Sequence, residues 1–597
     1  MARGHLRSWF WGVYTRSALR GGLRATGRQG AMKLRAILLL SALGALASAE
    51  QVVLNSNIKD KEDSPYTVFP PIKRVAVVGA GPSGLQVAAE LKEHGFNVTI
   101  FDRAPGPGGN WRFTDEIPVR ESYPDAPLDL APAIPSTLPH TEIYTDGQDG
   151  LTVDQRWRAH WVPRPVWKNL HTNSPISITD LPGVPYPAGS PWSPSQDTVT
   201  KHVRGYAAIH GLASDDDEGV VAYNTRVERL RKDEEAGKWT LTLKKVRKLT
   251  ETNRLEATWY EQEFDAVVVA LGLDAELPHV PEIEGIEGWS KVKDEKSATG
   301  WGIYHSRGYR RPEHYANKTV LIVGASVSGS EIARDVAPFV RKLYVSRKDY
   351  VWEKLHPFQR RSFKRLPESA EVVPEIKSFG PLEEDVQGIQ SGKITFINGS
   401  VIEGVDEVIL ATGYARVNRL LAQVSQDSTR TEQRQRPKRN THWTGHYIPD
   451  PTLAFTNTRP WTTLRYQALG LAKIWEGTAR LPNEAELWRQ YNETRWNYFW
   501  SFWGTERSEA LVRQWVTYLN NESLELGGRL VDTFPSERRE EFAYYMTLDV
   551  QESYITLENF TRFEDVPASE WGKDEKSTNL VDKGRELDYD FGEYGLW

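Results

Sequence analysis

Three glycines and one acid carry the clearest chemistry in this chain. Val75-Ala-Val-Val-Gly79-Ala-Gly81-Pro-Ser-Gly84-Leu is followed by Val98-Thr-Ile-Phe-Asp102. Gly79 allows a tight turn out of an apolar strand, and Gly81 lets the backbone approach a pyrophosphate at a helix N-terminus. Gly84 lets helix and strand pack closely. Asp102 falls about twenty residues on, at a strand end, where a carboxylate accepts hydrogen bonds from ribose hydroxyls. The alternative is a glycine-rich turn of an ordinary α/β fold. The preceding strand, the helical pattern Leu85, Val87, Ala88, Leu91 and the acid in register favour a dinucleotide site.

A second fingerprint, Val320-Leu-Ile-Val-Gly324-Ala-Ser326-Val-Ser328-Gly329, repeats the strand, turn and helix order with serines at two small positions. Its following strand ends Lys342-Leu-Tyr-Val-Ser346-Arg347-Lys348, without an acid. A carboxylate there would repel a 2′-phosphate, whereas Arg347, beside Ser346, can grip it. NADPH rather than NADH is the expected second nucleotide. The competing reading makes Arg347 and Lys348 solvated loop charges.

These motifs need elements to hold them. The 597 residues suffice for two to four domains, and 39% hydrophobic with 26% charged residues is ordinary globular composition. The expected fold class is α/β, with two Rossmann-type dinucleotide-binding domains and the NADP domain inserted in the FAD domain. Expected boundaries are 70–278 for the first part of the FAD domain, 279–403 for the NADP domain, 404–562 for the second part with C-terminal helices, and 563–597 for a polar tail. Residues 114–165 read as a long surface excursion. Val220–Val227 and Trp239–Leu243 read as meander strands, leading into the buried strand Phe264-Asp-Ala-Val-Val-Val-Ala270-Leu-Gly272. Ile394-Thr-Phe-Ile-Asn398-Gly399-Ser-Val-Ile reads as a hairpin. Val408–Tyr414 is expected to return the chain to the first domain.

Net charge −6 gives no basic field for nucleic acid. The absence of cysteine excludes disulfides, thiolate metal sites and a redox dithiol. No metal site is expected. Residues 1–49 lack Asp and Glu and read as a targeting segment. Met32 to Ala49 has basic Lys33 and Arg35, an apolar core too short to span a bilayer comfortably, and a small-x-small site at Ala47 and Ala49. It resembles a secretory signal. The expected location is the secretory lumen or outside the cell, with no stable membrane span. The rival is a mitochondrial presequence, which the upstream arginines also suit. Asn317, Asn398, Asn492, Asn521 and Asn559 begin glycosylation sequons.

Together the motifs resemble the class B flavin-containing monooxygenases over roughly residues 72–480. Gly108-Gly109-Asn110-Trp111 is similar to that family's loop lying against the flavin, and Thr172-Asn173-Ser-Pro175 to its segment beside the reactive ring face. Ala270-Leu-Gly272 and Ala411-Thr412-Gly413-Tyr414 correspond to its domain crossings. His305-Ser-Arg-Gly-Tyr309 matches the second half of its linker signature, while Thr299 and Trp301 depart from the first half. The resemblance implies FAD and NADPH as cofactors, O2 and an organic small molecule as substrates, and one oxygen atom inserted through a C4a-hydroperoxyflavin. Asn173 is the implied catalytic donor. A secreted form is similar to fungal enzymes that tailor aromatic polyketide pigments, which implies such a substrate and a complex with other pathway enzymes. A flavin oxidase or reductase without oxygen insertion, and a non-catalytic accessory flavoprotein, are the alternatives. His305 could touch the NADP ribose or act as acid or base, but the resemblance implies a structural histidine that organises the linker. Trp496, Trp500 and Trp503, flanked by Trp488 and Trp515, read as one aromatic helix face that packs in the core, or else walls the substrate pocket or meets a partner.

Overall fold

The computed structural model describes residues 64–535, apart from 121–122, 124–131, 215–218, 273–277, 350–356, 384–387, 415–419, 421–439, 443–444, 457–460, 495–505 and 533–534. The targeting segment, Trp496, Trp500, Trp503, Asn559 and the polar tail therefore lie outside the described residues.

In chain order the elements that build the site are β1 (Arg74–Val78), α1 (Pro82–Glu93), β2 (Asn97–Phe101), β3 (Ala266–Val269), β4 (Ile303–His305), β5 (Thr319–Val323), α2 (Val327–Val336), β6 (Lys342–Ser346), β7 (Ala370–Val373), β8 (Glu407–Leu410), β9 (Leu453–Phe455) and α3 (Trp461–Glu476). The first sheet runs Val221–Ala222, β2, β1, β3, β9 in parallel and continues through His446–Tyr447 and Thr441–His442, which are antiparallel. The second runs β7, β6, β5, β8, β4, all parallel. The nucleotide-loop strand is third in both. In the second sheet the fifth place goes to β4, a strand from the linker that precedes the loop strand in the chain.

Parallel strands covered on both faces need continuous apolar runs, and β3 and β5 are buried at every residue. Alternate residues of β1 serve two cores. Val75 and Val77 pack with α1 and α3, while Ala76 and Val78 pack with Trp239, Leu241 and Leu243. Those last three belong to a four-stranded antiparallel sheet of His140–Thr145, Arg254–Phe264, Lys238–Leu249 and Thr225–Asp233. β5 repeats the plan. Val320 and Ile322 face α2, whereas Leu321 and Val323 face the three-stranded sheet that contains Ile394 and Phe396. Each unit is thus a wholly or mostly parallel sheet with helices on one side and a separate antiparallel sheet on the other.

The expected hairpin forms: Ile394–Phe396 pairs antiparallel with Val401–Ile402, and Gly399 takes φ +86° at its tip. Three expectations are corrected. The 114–165 excursion contains the strand His140–Thr145 and the helix Val153–Trp161. Thr152 caps that helix in a box with Gln155. The strand read over Val220–Val227 is two: Val221–Ala222 edges the first sheet, and the meander begins at Thr225. Between them Asn224 takes φ +52°, which breaks the strand direction. Finally, β8 pairs with β5 and β4, so the second sheet extends past residue 403, and the chain leaves it only after Leu410.

Candidate active site

The first glycine loop is closed by backbone contact. Gly79 N–H donates to Phe101 O at 2.7 Å, and Gly79 has φ +111°. A Cβ on Gly79 would lie 2.7 Å from Ala270 O, and one on Gly84 only 1.8 Å from Gly79 O. Gly81 differs, because a Cβ there would meet only Gly109 Cα, at 3.5 Å. It caps α1 in extended conformation, with Pro82 at the first helical position, and its carbonyl accepts from Leu85 N–H at 3.0 Å. Buried Asp102 accepts from Ala80 N–H through Oδ2 and from Ala104 N–H through Oδ1, both at 2.7 Å. The carboxylate therefore fixes the loop it faces.

Gly109 (φ +54°) approaches Gly81 so closely that a Cβ on it would lie 2.7 Å from Gly81 Cα. Asn110 beside it is exposed. Trp111 is half-buried, meets Trp461 at the start of α3 edge to face, ring centroids 6.2 Å apart, and its carbonyl accepts from the Thr200 hydroxyl.

The second loop repeats these contacts. A Cβ on Gly324 (φ +102°) would lie 2.6 Å from Ala411 O, and one on Gly329 1.8 Å from Gly324 O. Ala411 N–H donates to Val323 O at 2.8 Å, as Ala270 N–H does to Val78 O. The two domain crossings thus occupy equivalent places beside the two loops. Ser326 caps α2, Ser328 lies in its first turn, and Ser330 N–H donates to Ser326 O at 2.9 Å. The units differ after the second strand. Ser346 is buried and its hydroxyl donates to Pro374 O at 2.7 Å. Arg347 is half-buried, with its guanidinium carbon 4.9 Å from the Phe363 ring centroid. Stacking on an aromatic leaves the edge of the guanidinium fork for an anion.

Asn173 is exposed, and its amide makes no hydrogen bond among the described residues. Its neighbours are fixed. Thr172 is buried, donates its hydroxyl to Ser174 O at 2.7 Å and its N–H to Pro194 O at 3.0 Å. His171 Nδ1 lies 3.0 Å from Asn169 O. The amide of Asn173 is thus presented on a tied backbone.

The linker is clasped by His305, which is fully buried. Its Nε2–H donates to Gly413 O at 2.9 Å, while Nδ1 accepts from Arg307 N–H at 3.2 Å. Both nitrogens are used, which makes it an organiser of the crossing. Thr412 donates its hydroxyl to His279 O across the same crossing, and His279 N–H donates to Gly413 O at 2.8 Å. Trp301 packs against Arg120, the guanidinium carbon 3.7 Å from its ring centroid. Burial pushes the Arg310 guanidinium down to about 10. That side chain donates to Glu116 O, Arg307 O and Tyr309 O.

Two residues absent from the sequence reading as functional stand out. Asp335 of α2 accepts from Asn169 Nδ2–H at 2.9 Å and from the Tyr309 hydroxyl at 2.7 Å. Burial raises its carboxyl from the ordinary range. Asn169 and Asp335 are 166 positions apart, so no local pattern marks them.

The two glycine cradles, each sized so that a Cβ would collide, and the buried acid beside the first fit two dinucleotides. They define a two-nucleotide flavoprotein. Residues 77–167 match the NAD(P)-binding Rossmann-like domain and residues 165–358 the flavin-binding monooxygenase-like family. The flavin-containing monooxygenase iboF of Amanita muscaria is 36% identical over 504 residues, 78% of this chain and 91% of that protein. The flavin-containing monooxygenase ustF2 of Aspergillus flavus is 29% identical over 76% of this chain and 92% of its own length. The structure of S-allyl-L-cysteine S-oxygenase from Allium sativum shares the fold, with a TM-score of 0.52 at 20% identity, covering 80% of this chain and 96% of that one. The chain belongs to the flavin-containing monooxygenases, enzymes that use FAD and NADPH.

Proposed function

We propose that this enzyme transfers one oxygen atom of O2 to a soft nitrogen or sulfur centre of an organic small molecule. The observation that carries the two-cofactor part is the duplicated loop geometry at Gly79/Gly84 and Gly324/Gly329. The heteroatom preference is supported by two names: a relative 26% identical is called senecionine N-oxygenase, and the Allium fold neighbour is an S-oxygenase. The aromatic polyketide or pigment precursor is the second substrate class, and a complex with other enzymes of a pathway would deliver either.

FAD would be held by Gly79, Gly81, Gly84, Asp102 and Gly109, and NADPH by Gly324, Ser326, Ser328, Gly329 and Arg347. Bound FAD supplies hydride acceptance from NADPH and activation of O2. The chain's own residues orient and protect. Asn173 offers a neutral amide that donates a hydrogen bond without releasing a proton. His305 and Thr412 hold the crossing, and the tied backbone of Thr172–Pro175 fixes where the Asn173 amide sits.

The deciding measurement follows NADPH, dissolved oxygen and hydrogen peroxide together over tertiary amines, thioethers, phenols and aryl ketones. Substrate-dependent oxygen incorporation with an amine or thioether is the expected result. Peroxide at one per NADPH with every compound would make the enzyme an oxidase. Turnover confined to phenols would favour the pigment class.

We further place the enzyme in the secretory lumen, supported by the Met32–Ala49 pattern and by exposure of Asn317, Asn398, Asn492 and Asn521. A mature N-terminus at Glu50 and a mass lowered by removal of N-glycans are the expected findings. An unglycosylated protein in mitochondria would reject this placement.

A further inference from the structure

Asp335 occupies the last turn of α2, the helix whose N-terminus carries the second glycine loop. Ten residues make α2 about 15 Å long, so its ends cannot touch the same group. At the loop end sit Ser326, Ser328 and Gly329. At the other, the Asp335 carboxylate takes one hydrogen bond from Asn169, in the first domain, and one from Tyr309, in the linker. The two acceptor oxygens are divided between the two donors, so the carboxylate bridges them.

The Asn169 side of the bridge is continuous with the site. Asn169 O holds the His171 ring, and Gln196 N–H donates to Leu170 O at 2.7 Å. Thr172 is tied to Pro194 and Ser174, and Asn173 follows directly. Lys168 N–H donates to Arg310 O at 2.9 Å, and the Trp167 and Tyr309 rings meet at 5.8 Å. The segment that carries Asn173 is therefore fastened to α2 and to the linker together, with Asp335 as the shared acceptor.

We propose that Asp335 is a positioning residue, which couples occupancy of the second nucleotide loop to the placement of the Asn169–Asn173 segment. A dinucleotide seated at the α2 N-terminus restrains the helix as a rigid body, and the carboxylate at its far end passes that restraint to Asn169. The inference rests on the reading that Asn173 serves the reaction, yet its test does not. Amide hydrogen exchange is measured on the FAD-loaded full chain for peptides spanning 166–178, with and without NADP+. In the wild type, NADP+ is expected to slow exchange of these peptides several-fold.

In Asp335→Ala that slowing should vanish, although NADP+ still perturbs the flavin absorbance with an affinity within a few fold of wild type. Asn169→Ala cuts the same link from an exposed position and should give the same loss if Asp335→Ala folds poorly. Asp335→Asn, which keeps one acceptor oxygen, should retain part of the effect. Product formed per NADPH should fall in the same order. Undiminished NADP+ protection of 166–178 in Asn169→Ala, or no protection in the wild type, overturns the proposal. A failure of the Asn173 reading appears elsewhere, as unchanged coupling in Asn173→Leu while the exchange effect persists.

Discussion

Gly81 and Gly84 stand three residues apart and respond differently to an added side chain. At Gly84 a methyl would overlap a backbone oxygen, so Gly84→Ala disturbs folding itself. Gly81 has ordinary room towards the protein, and Gly81→Val should therefore fold, yet place its methyls where the pyrophosphate approaches. The expected purified variant is stable and colourless, and one that keeps stoichiometric FAD removes Gly81 from the site. Arg347 makes a parallel distinction at the second loop. A charge-assisted phosphate contact is worth roughly 1.5–3 kcal/mol, about ten- to a hundredfold in affinity. Arg347→Ala should weaken NADPH by that factor and leave NADH nearly unchanged, and equal losses would make the Phe363-stacked arginine structural. Asn173 is tested by product, not by binding. Losing one preorganised donor costs about 3–4 kcal/mol where the donor acts. Asn173→Leu should keep FAD and reduction by NADPH within a few fold, while product collapses and hydrogen peroxide approaches one per NADPH. Wild-type coupling in that variant would move the oxygenation role to another residue.

Elements that carry a sharp local signal were legible, and those defined by remote partners were not. The β1–α1–β2 unit could be read because turn glycines, an apolar run and an acid all fall within thirty residues. The 394–402 hairpin could be read from Asn398-Gly399. The helix Val153–Trp161 had a usable signal in Thr152 and Gln155, masked by the prolines and acids around it. His140–Thr145 had none, since its pattern completes only when it pairs with Arg254–Phe264. The assignment of β8 to the second sheet likewise rests on β4 and β5 as neighbours. Helix ends give a further test. His94, closing α1, lies 3.1 Å from Glu90 and 2.6 Å from Glu476 of α3, and its side chain is 8% exposed. Hydrogen bonds to Glu476 and then Glu90 raise its pKa from 6.5 to about 9, against the opposing effect of burial. A folded pKa above the unfolded one means the stabilisation is full below about 6.5 and is lost as pH rises through about 9. The full shift corresponds to roughly 3–4 kcal/mol, and solvent access to the partly exposed Glu476 reduces the contribution to about 2–3 kcal/mol. Thermal melts of His94→Gln should trail the wild type clearly at pH 6 and converge with it by about pH 9.5. A gap independent of pH would mean the imidazole acts through packing alone.

The whole molecule is a repeated solution: two sheets whose first four strands follow the same parallel order around the loop strand, each with its own pair of apolar cores, joined through crossings that pass beside the glycine loops. Two units of this kind could melt separately, and the buried linker contacts decide whether they do. His305 is fully buried among them and is held at both ring nitrogens, one by Gly413 O and the other by Arg307 N–H. His305→Ala deletes a buried ring and removes the Nδ1 acceptor of the Arg307 N–H, a cost of about 2–4 kcal/mol. Gly413 O keeps its bond from His279 N–H, and neither sheet loses a strand pairing. The damage should therefore fall on the joint between the units. Calorimetry of the FAD-loaded variant is expected to resolve two transitions where the wild type shows one, with FAD stabilising only the first unit. NADPH oxidation should continue with a larger share diverted to peroxide, since both loops survive but their relative placement is loosened. A single transition at a lower temperature, with wild-type coupling, would show that His305 stabilises the fold without governing how the two nucleotide units meet.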